Sequence, residues 1–294
     1  MPDARPLRGI IPPMVTPFAE DESLDEAALQ REVRWLIEEA GVHGLAVGGS
    51  TGEGHTLSTE ELRHCVGAAL DAAAGRVPVI AGVIVDSTRQ AVEKALALAD
   101  LDLAGLQVTP VHYLFRPDDD SMVRHFAALA DATSLPVIIY NVVPWSYCSP
   151  QLLARMLRDI EGVVGVKQSA GDMKLLADLL LLAGNDGAIL SAVDALLYPS
   201  FCLGAHGAIA AILSAAPERC VALWDAVAAG DHDRALGLHR QLLPLWNALE
   251  GDNLPANVKT ALALQGRPAG QPRRPMPVSS TAQRAAIKAA LASA

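Results

Sequence analysis

The sequence predicts an α/β fold, a (β/α)8 (TIM) barrel with a C-terminal helical extension, and three observations carry that expectation. Eight short apolar runs alternate with helical stretches up to residue 211, starting roughly every 20–35 residues, close to the ~30 per unit of a barrel of ~250 residues. Most runs are near-continuously apolar rather than alternating, as strands covered on both faces are. Beyond Ala216 the pattern is helical alone. The rival, a doubly wound open sheet, usually shows a glycine fingerprint after its first strand. Here the first run meets Pro12, Pro13 and Pro17 instead.

The candidate strands, in order, are residues 9–15, 44–47, 77–83, 105–109, 136–141, 163–168, 188–191 and 207–211. Between them lie candidate helices at 24–39, 58–74, 88–98, 121–132, 150–157, 173–182 and 195–202. Leu29, Val33, Leu36 and Ile37 give the first helix its 3.6-residue spacing. Ser58, with Glu61 three residues on, forms a capping box for the second, and Asp86–Thr88 and Asp118–Ser121 are good caps for the next two. After the barrel come helices at 217–229, 231–249, 256–264 and 281–292, with residues 266–277, four of them proline, read as a linker. The expected division is a barrel with the active site over 1–225 and a helical region packed on it over 226–294.

Composition narrows the function classes. The chain has 294 residues, 51% of them apolar, and a formal net charge of −10. It is long enough to bury a full core, and its apolar content excludes disorder. An acidic balance argues against nucleic-acid or anionic-membrane partners, which want clustered Lys and Arg. Cys65, Cys148, Cys202 and Cys220 form no C-x-x-C pair and have no histidine at zinc spacing, which suits a reducing cytoplasm. No H-x-H cluster suggests a metal. The first ten residues lack the apolar core of a secretory signal. The most membrane-like stretch, 187–216, is broken by Asp194, Pro199, Ser200 and His206, short of the ~18 uninterrupted apolar residues of a span.

In a parallel barrel, chemistry sits at the C-terminal ends of the strands. Three such ends stand out. Val47-Gly-Gly-Ser-Thr-Gly-Glu53 is a glycine-rich turn able to aim backbone N–H groups at a carboxylate or phosphate, with Ser50 and Thr51 adding hydroxyls. It also satisfies G-x-S-x-G, the serine-hydrolase elbow, although no helix follows Ser50 at once. Tyr140 ends the fifth strand, where a structural hydrogen bond is the plain alternative. Lys167 ends the sixth, where it either snorkels to solvent or is desolvated. Burial lowers a lysine pKa. The neutral amine can then attack a ketone to form a Schiff base, an electron sink that lets a neighbouring C–C or C–H bond break. Tyr140 on the adjacent strand could relay the protons.

Gly49-Ser-Thr-Gly-Glu53, Tyr140-Asn141 and Gly165-Val-Lys-Gln-Ser169 occur in the order and spacing of the dihydrodipicolinate synthase / N-acetylneuraminate lyase family, which the chain resembles over essentially its whole length. Gly9-Ile-Ile-Pro-Pro-Met-Val-Thr-Pro-Phe18, Val108-Thr-Pro110, Gly204-Ala-His-Gly-Ala-Ile209 and Val258-Lys-Thr-Ala-Leu-Ala-Leu264 support it. The resemblance implies a Schiff-base aldolase or lyase on a (β/α)8 barrel. Lys167 takes the place of the Schiff-base lysine and Tyr140 that of the proton shuttle. Ser50 and Thr51 match the 2-oxo acid carboxylate clamp and relay, beside Gly49, and Ile209 falls where a backbone carbonyl faces the lysine. Ser169 and Asp194 also fall at substrate-binding positions. The family is typically a homotetramer, a dimer of tight dimers, with an aromatic side chain reaching the neighbour's site from the loop after Pro110.

Departures shape what is expected. Members that make dihydrodipicolinate carry an arginine shortly after Tyr-Asn-Val-Pro, whereas Tyr140-Asn-Val-Val-Pro-Trp-Ser-Tyr-Cys148 has an extra residue and none. The glycine turn and Lys-Gln-Ser lean to the sialic-acid lyase side, yet Ala195 and Ala211 replace its sugar-binding Glu and Ser. The loop reads Val111-His112-Tyr113, which puts His112 or Tyr113 in place of the inter-subunit relay, and Trp145 and Tyr147 are expected to wall the pocket. The resulting expectation is a divergent, cofactor-free lyase or aldolase working through a covalent Schiff base on Lys167. Its substrates are a 2-oxo acid (pyruvate as donor or product) and an aldehyde. The alternatives are a 2-keto-3-deoxy sugar acid dehydratase, a non-catalytic 2-oxo acid sensor, or a serine hydrolase using Ser50.

Overall fold

The computed structural model describes residues 7–293; the N-terminal residues 1–6, part of the segment read as lacking a secretory core, and residue 294 lie outside them. Eight parallel strands run in the order β1-β8-β7-β6-β5-β4-β3-β2. They are β1 (Gly9–Ile10), β2 (Leu45–Val47), β3 (Val79–Val83), β4 (Gly105–Val108), β5 (Val137–Asn141), β6 (Val163–Gln168), β7 (Ala188–Ser191) and β8 (Gly207–Ala208). The helices of the barrel are α1 (Glu26–Glu38), α2 (Thr59–Ala73), α3 (Thr88–Leu98), α4 (Asp119–Ala132), α5 (Pro150–Asp159), α6 (Met173–Ala183) and α7 (Leu197–Cys202). Then follow α8 (Ile212–Ala215), α9 (Pro217–Ala228), α10 (His232–Leu249), α11 (Leu254–Leu264) and α12 (Thr281–Ser293).

The (β/α)8 expectation holds, with the first and last strands several residues shorter than read. Pro12 and Pro13 have no N–H to give a ladder, so β1 stops at Ile10. The barrel is closed there by the Ala46 amide donating to Pro12 O and the Met14 amide donating to Ala46 O. The last strand ends at Ala208 because the chain turns into the short helix α8, which the sequence pattern did not reveal. The capping box at Ser58 and Glu61 is present, and Asp118 caps α4. The interrupted apolar stretch 187–216 folds as β7, α7, β8 and α8, and among the described residues no helix is long and apolar enough to cross a membrane.

Side chains alternate across the strands. Val137 and Ile139 face the helices in a large outer core, while Ile138 joins Ile11, Ala46, Ile80, Leu190 and Ile209 in filling the barrel. A second outer core joins Ile10 and Ala208 to Leu223, Leu245 and Ile287, so the C-terminal helices share apolar packing with the strands. Burying each such side chain is worth about 1.5–3 kcal/mol.

Residues 266–277, expected to be a linker, are a strap tied to the barrel. Arg267 pairs with Glu32 of α1 at 2.6 Å, and the Phe18 amide donates to Ala269 O. The Arg273 guanidinium binds Glu61 of α2 and the carbonyls of Glu22 and Thr56. Its amide donates to Glu53 Oε2 at 2.8 Å. Glu53, at the end of the β2 turn, is fully buried and pairs with Lys259 of α11 at 2.7 Å. Lys259 also donates to Gln271 O and lies over the Phe18 ring, and burial holds its pKa below the ordinary lysine range against Glu53's pull.

Removing one partner of a buried pair strands the other charge. Lys259→Met is expected to cost about 3–5 kcal/mol in chemical denaturation. The double variant Glu53→Gln/Lys259→Met should recover much of that loss; a double variant no more stable than the single one would contradict this account.

Candidate active site

The Tyr140–Lys167 pairing depends on a fault in the sheet. Val163 faces the outer core, and so does Val166 three residues later. Strict alternation would put them on opposite faces. The strands resolve this by a register shift: Val137 pairs with Val163, but Ile138 pairs with Gly165. The extra residue, Val164, behaves as a β-bulge. Tyr140 therefore stands directly opposite Lys167. Both belong to the set pointing into the barrel, two residues above Ile138 on that face.

Lys167 is only 4% exposed, and its Nζ lies 3.9 Å from the centroid of the Tyr140 ring. The Tyr140 hydroxyl donates to Ser50 Oγ at 3.0 Å. The turn carrying Ser50 is shaped by crowding. Gly48 has φ +74°, and a Cβ on Gly54 would lie 1.8 Å from Gly48 O. Glu53 adopts the left-handed conformation (φ 55°) and is held there by Lys259 and the Arg273 amide. Ser50 thus answers to Tyr140; the hydrogen bond recorded for its hydroxyl comes from a phenol and not from the imidazole that a hydrolase elbow requires.

A cavity of about 310 Å³ opens at this end of the barrel. Of the residues expected at the site, Lys167, Tyr140, Ser50, Thr51, Ser169, Asp194 and Ile209 all line it. Gly49 does not; it lies behind the turn, where a Cβ would come within 2.7 Å of Gln107 Nε2. His112 and Tyr113 do not line the cavity of their own chain. The His112 ring is turned back to Pro110 O and Asp86, and Tyr113 is 65% exposed. Trp145 and Tyr147, expected as a wall, are also absent from the lining. Residues 144–146 form a single 3-10 turn opened by Pro144; Trp145 points outward and donates to His112 O, while the Tyr147 hydroxyl donates to Ser169 O.

The wall comes instead from residues the sequence reading missed: Val142 and Ala192 on the barrel loops, and Leu254, Pro255 and Met276 from α11 and the strap. His55 and Asp252 stand with them. Nothing in the local sequence pattern announces that the start of α11 and the strap lie across the barrel mouth. Asp194 Oδ1 accepts from the Ile212 amide at 2.7 Å. Burial pushes the Asp194 carboxyl up to about 6, against the lowering pull of that N–H and of the Lys167 side chain. Ser169 Oγ is enclosed and has no protein partner.

The raised Asp194 carboxyl has a thermodynamic signature. The native state keeps a proton that the unfolded chain releases near 3.8. Stability relative to Asp194→Asn should therefore fall as pH rises from about 4 to about 6, then stay level above it. Urea midpoints of both proteins across pH 4–7 test this; a difference that does not change through that window would contradict it.

Comparison with known proteins gives the family and agrees with the fold. The model of the Dihydrodipicolinate synthetase family matches residues 6–294. A 4-hydroxy-tetrahydrodipicolinate synthase of Methanopyrus kandleri is 36% identical over 274 residues, 92% of this chain and 90% of that one. One from Methylobacterium radiotolerans is 38% identical over 283 residues, 95% and 93% of the two chains. Among solved structures, YagE, a prophage protein of the dihydrodipicolinic acid synthase family from E. coli K12 in complex with pyruvate, superposes with a TM-score of 0.92 at 28% identity, covering 97% of this chain and 98% of its own. The chain belongs to the dihydrodipicolinate synthetase family and is an enzyme of its aldolase-type lyase class.

Proposed function

We propose that the protein forms a Schiff base between Lys167 and a 2-oxo acid, pyruvate as donor or product, and makes or breaks a bond at the carbon next to the iminium. The observation that carries this reading is the buried Lys167 amine, in register with Tyr140, which in turn is hydrogen-bonded to Ser50 at 3.0 Å. Attack of the amine on the keto carbon gives a carbinolamine, which needs a proton to lose water. Tyr140 is placed to supply it and Ser50 to resupply Tyr140. The hydroxyls of Ser50 and Thr51, with the N–H groups of their turn, suit the carboxylate of the 2-oxo acid. The iminium then accepts the electron pair released when a C–C or C–H bond breaks. Lys167 thus provides the electron sink that a cofactor would otherwise supply. The pyruvate complex of YagE supports pyruvate as the 2-oxo acid.

Borohydride reduction with pyruvate should fix a pyruvyl mass on Lys167, found by peptide mapping and absent in Lys167→Ala; no label on Lys167 overturns the reading. Tyr140→Phe is expected to lower turnover by about 10²–10⁴-fold while the adduct still forms, the usual worth of a proton-transfer group. Undiminished turnover would remove Tyr140 from the mechanism.

A homotetramer completes the proposal. Tyr113, Leu114 and Phe115 are exposed, Leu114 at 88%, and Trp145 is joined to their loop through His112 O. An apolar group of this size on one loop suits burial against a second copy. Light scattering coupled to size exclusion should give four chain masses for the wild type and a smaller assembly for Leu114→Glu; a monomeric wild type would refute it.

A further inference from the structure

The charges around the cavity restrict what can react with the bound 2-oxo acid. Among the described residues lining it, the only lysine or arginine is Lys167, and the carboxylates are Asp194 and Asp252. Once Lys167 has become an iminium, its charge faces the carboxylate of the 2-oxo acid to which it is joined. What remains of the titratable lining is two aspartates and His55, with Val142, Leu254, Pro255 and Met276 as apolar surface. Asp252 is exposed at the rim, whereas Asp194 sits deeper, beside Lys167 and the Ile212 amide. Among the described residues no guanidinium lines this space, and the chain as a whole carries −10.

We infer that the aldehyde partner of the 2-oxo acid carries no carboxylate and is held through its own hydrogen-bond donors, which Asp194 and Asp252 are placed to accept. A carboxylate brought into this space would meet like charge and, among the described residues, no lysine or arginine beyond the iminium itself, and such juxtapositions are costly. A hydroxyl meets acceptors: an ionised carboxylate has about four lone-pair sites, and at Asp194 the Ile212 amide is a partner of Oδ1. The cavity, about 310 Å³, is at the small end for ligand sites and fits a short aldehyde.

The inference rests on the Schiff-base reading of Lys167, and the chemistry balances. Loss of a C3 proton from the iminium gives an enamine, whose C3 bonds to the aldehyde carbon. The aldehyde oxygen takes a proton and becomes a hydroxyl, the iminium re-forms, and water releases the 4-hydroxy-2-oxo acid and the free amine. The acceptor's remaining substituents then lie along the wall from Asp194 to Asp252.

The test uses the full chain, pyruvate and three four-carbon aldehydes: erythrose, butanal and succinic semialdehyde. Product formation is followed by mass spectrometry, with borohydride trapping of pyruvate on Lys167 in parallel. Erythrose should show kcat/KM at least roughly 10-fold above succinic semialdehyde, with butanal between them. Asp252→Asn should narrow that ratio by raising the rate with succinic semialdehyde. Equal or better use of succinic semialdehyde overturns the inference. So does a failure of all three aldehydes while the pyruvate adduct on Lys167 is intact. Loss of the adduct itself would instead overturn the Schiff-base reading on which this rests.

Discussion

A strand can present a given residue to only one side, and at β6 that parity rule governs the whole molecule. Val163 and Val166 both belong to the outer core, an odd separation that a regular ladder cannot satisfy. The bulge at Val164 absorbs the mismatch. Without it, Tyr140 would stand opposite Val166, and the lysine would be carried out among the helices. There an amine would have no partner, and a buried unpaired lysine is among the most costly placements in a core. The apolar packing on the outside of the sheet and the amine on its inside are therefore one solution to one constraint.

The mouth of the barrel is organised around a different demand. Glu53 is completely buried, in a backbone conformation that side chains other than glycine seldom adopt. Its two oxygens draw in Lys259 from α11 and the Arg273 amide from the strap. The strap is then fastened further by Arg273 on Glu61 and Arg267 on Glu32. Ion pairs of this kind contribute little net stability compared with apolar replacements, but they specify geometry. Here they fix the Ser50–Thr51 turn and bring Leu254, Pro255 and Met276 over the opening.

Much of this could be read in the sequence, for physical reasons. Continuous apolar runs mark strands covered on both sides, and their spacing marked the barrel. A lysine closing such a run, with a tyrosine closing the one before it, marked the candidate site. The rest was hidden because it depends on contacts distant in sequence. Periodicity says nothing about whether a proline-rich segment such as 266–277 hangs free or is bonded, since its anchors are single arginines whose partners lie more than two hundred residues away. The direction of Trp145 was equally hidden: the 3-10 turn begun by Pro144 rotates it outward, away from the wall its size suggested. The bulge at Val164 is visible only once the neighbours of Val163 and Val166 are known.

Distant parts of the chain meet in the pocket. Ser50, Thr51, Tyr140 and Lys167 come from strand ends in the first 170 positions, while Asp252, Leu254, Pro255 and Met276 come from a stretch of 25 residues near the other terminus. The later segment supplies part of the rim, while Val142, Ala192 and Asp194 of the barrel supply the rest. Substitutions in the later segment would reshape the rim without touching Tyr140 or Lys167. The only toll on such tinkering is compatibility at Glu53, where the incoming segment must still bring a cation and an amide to the same buried carboxylate.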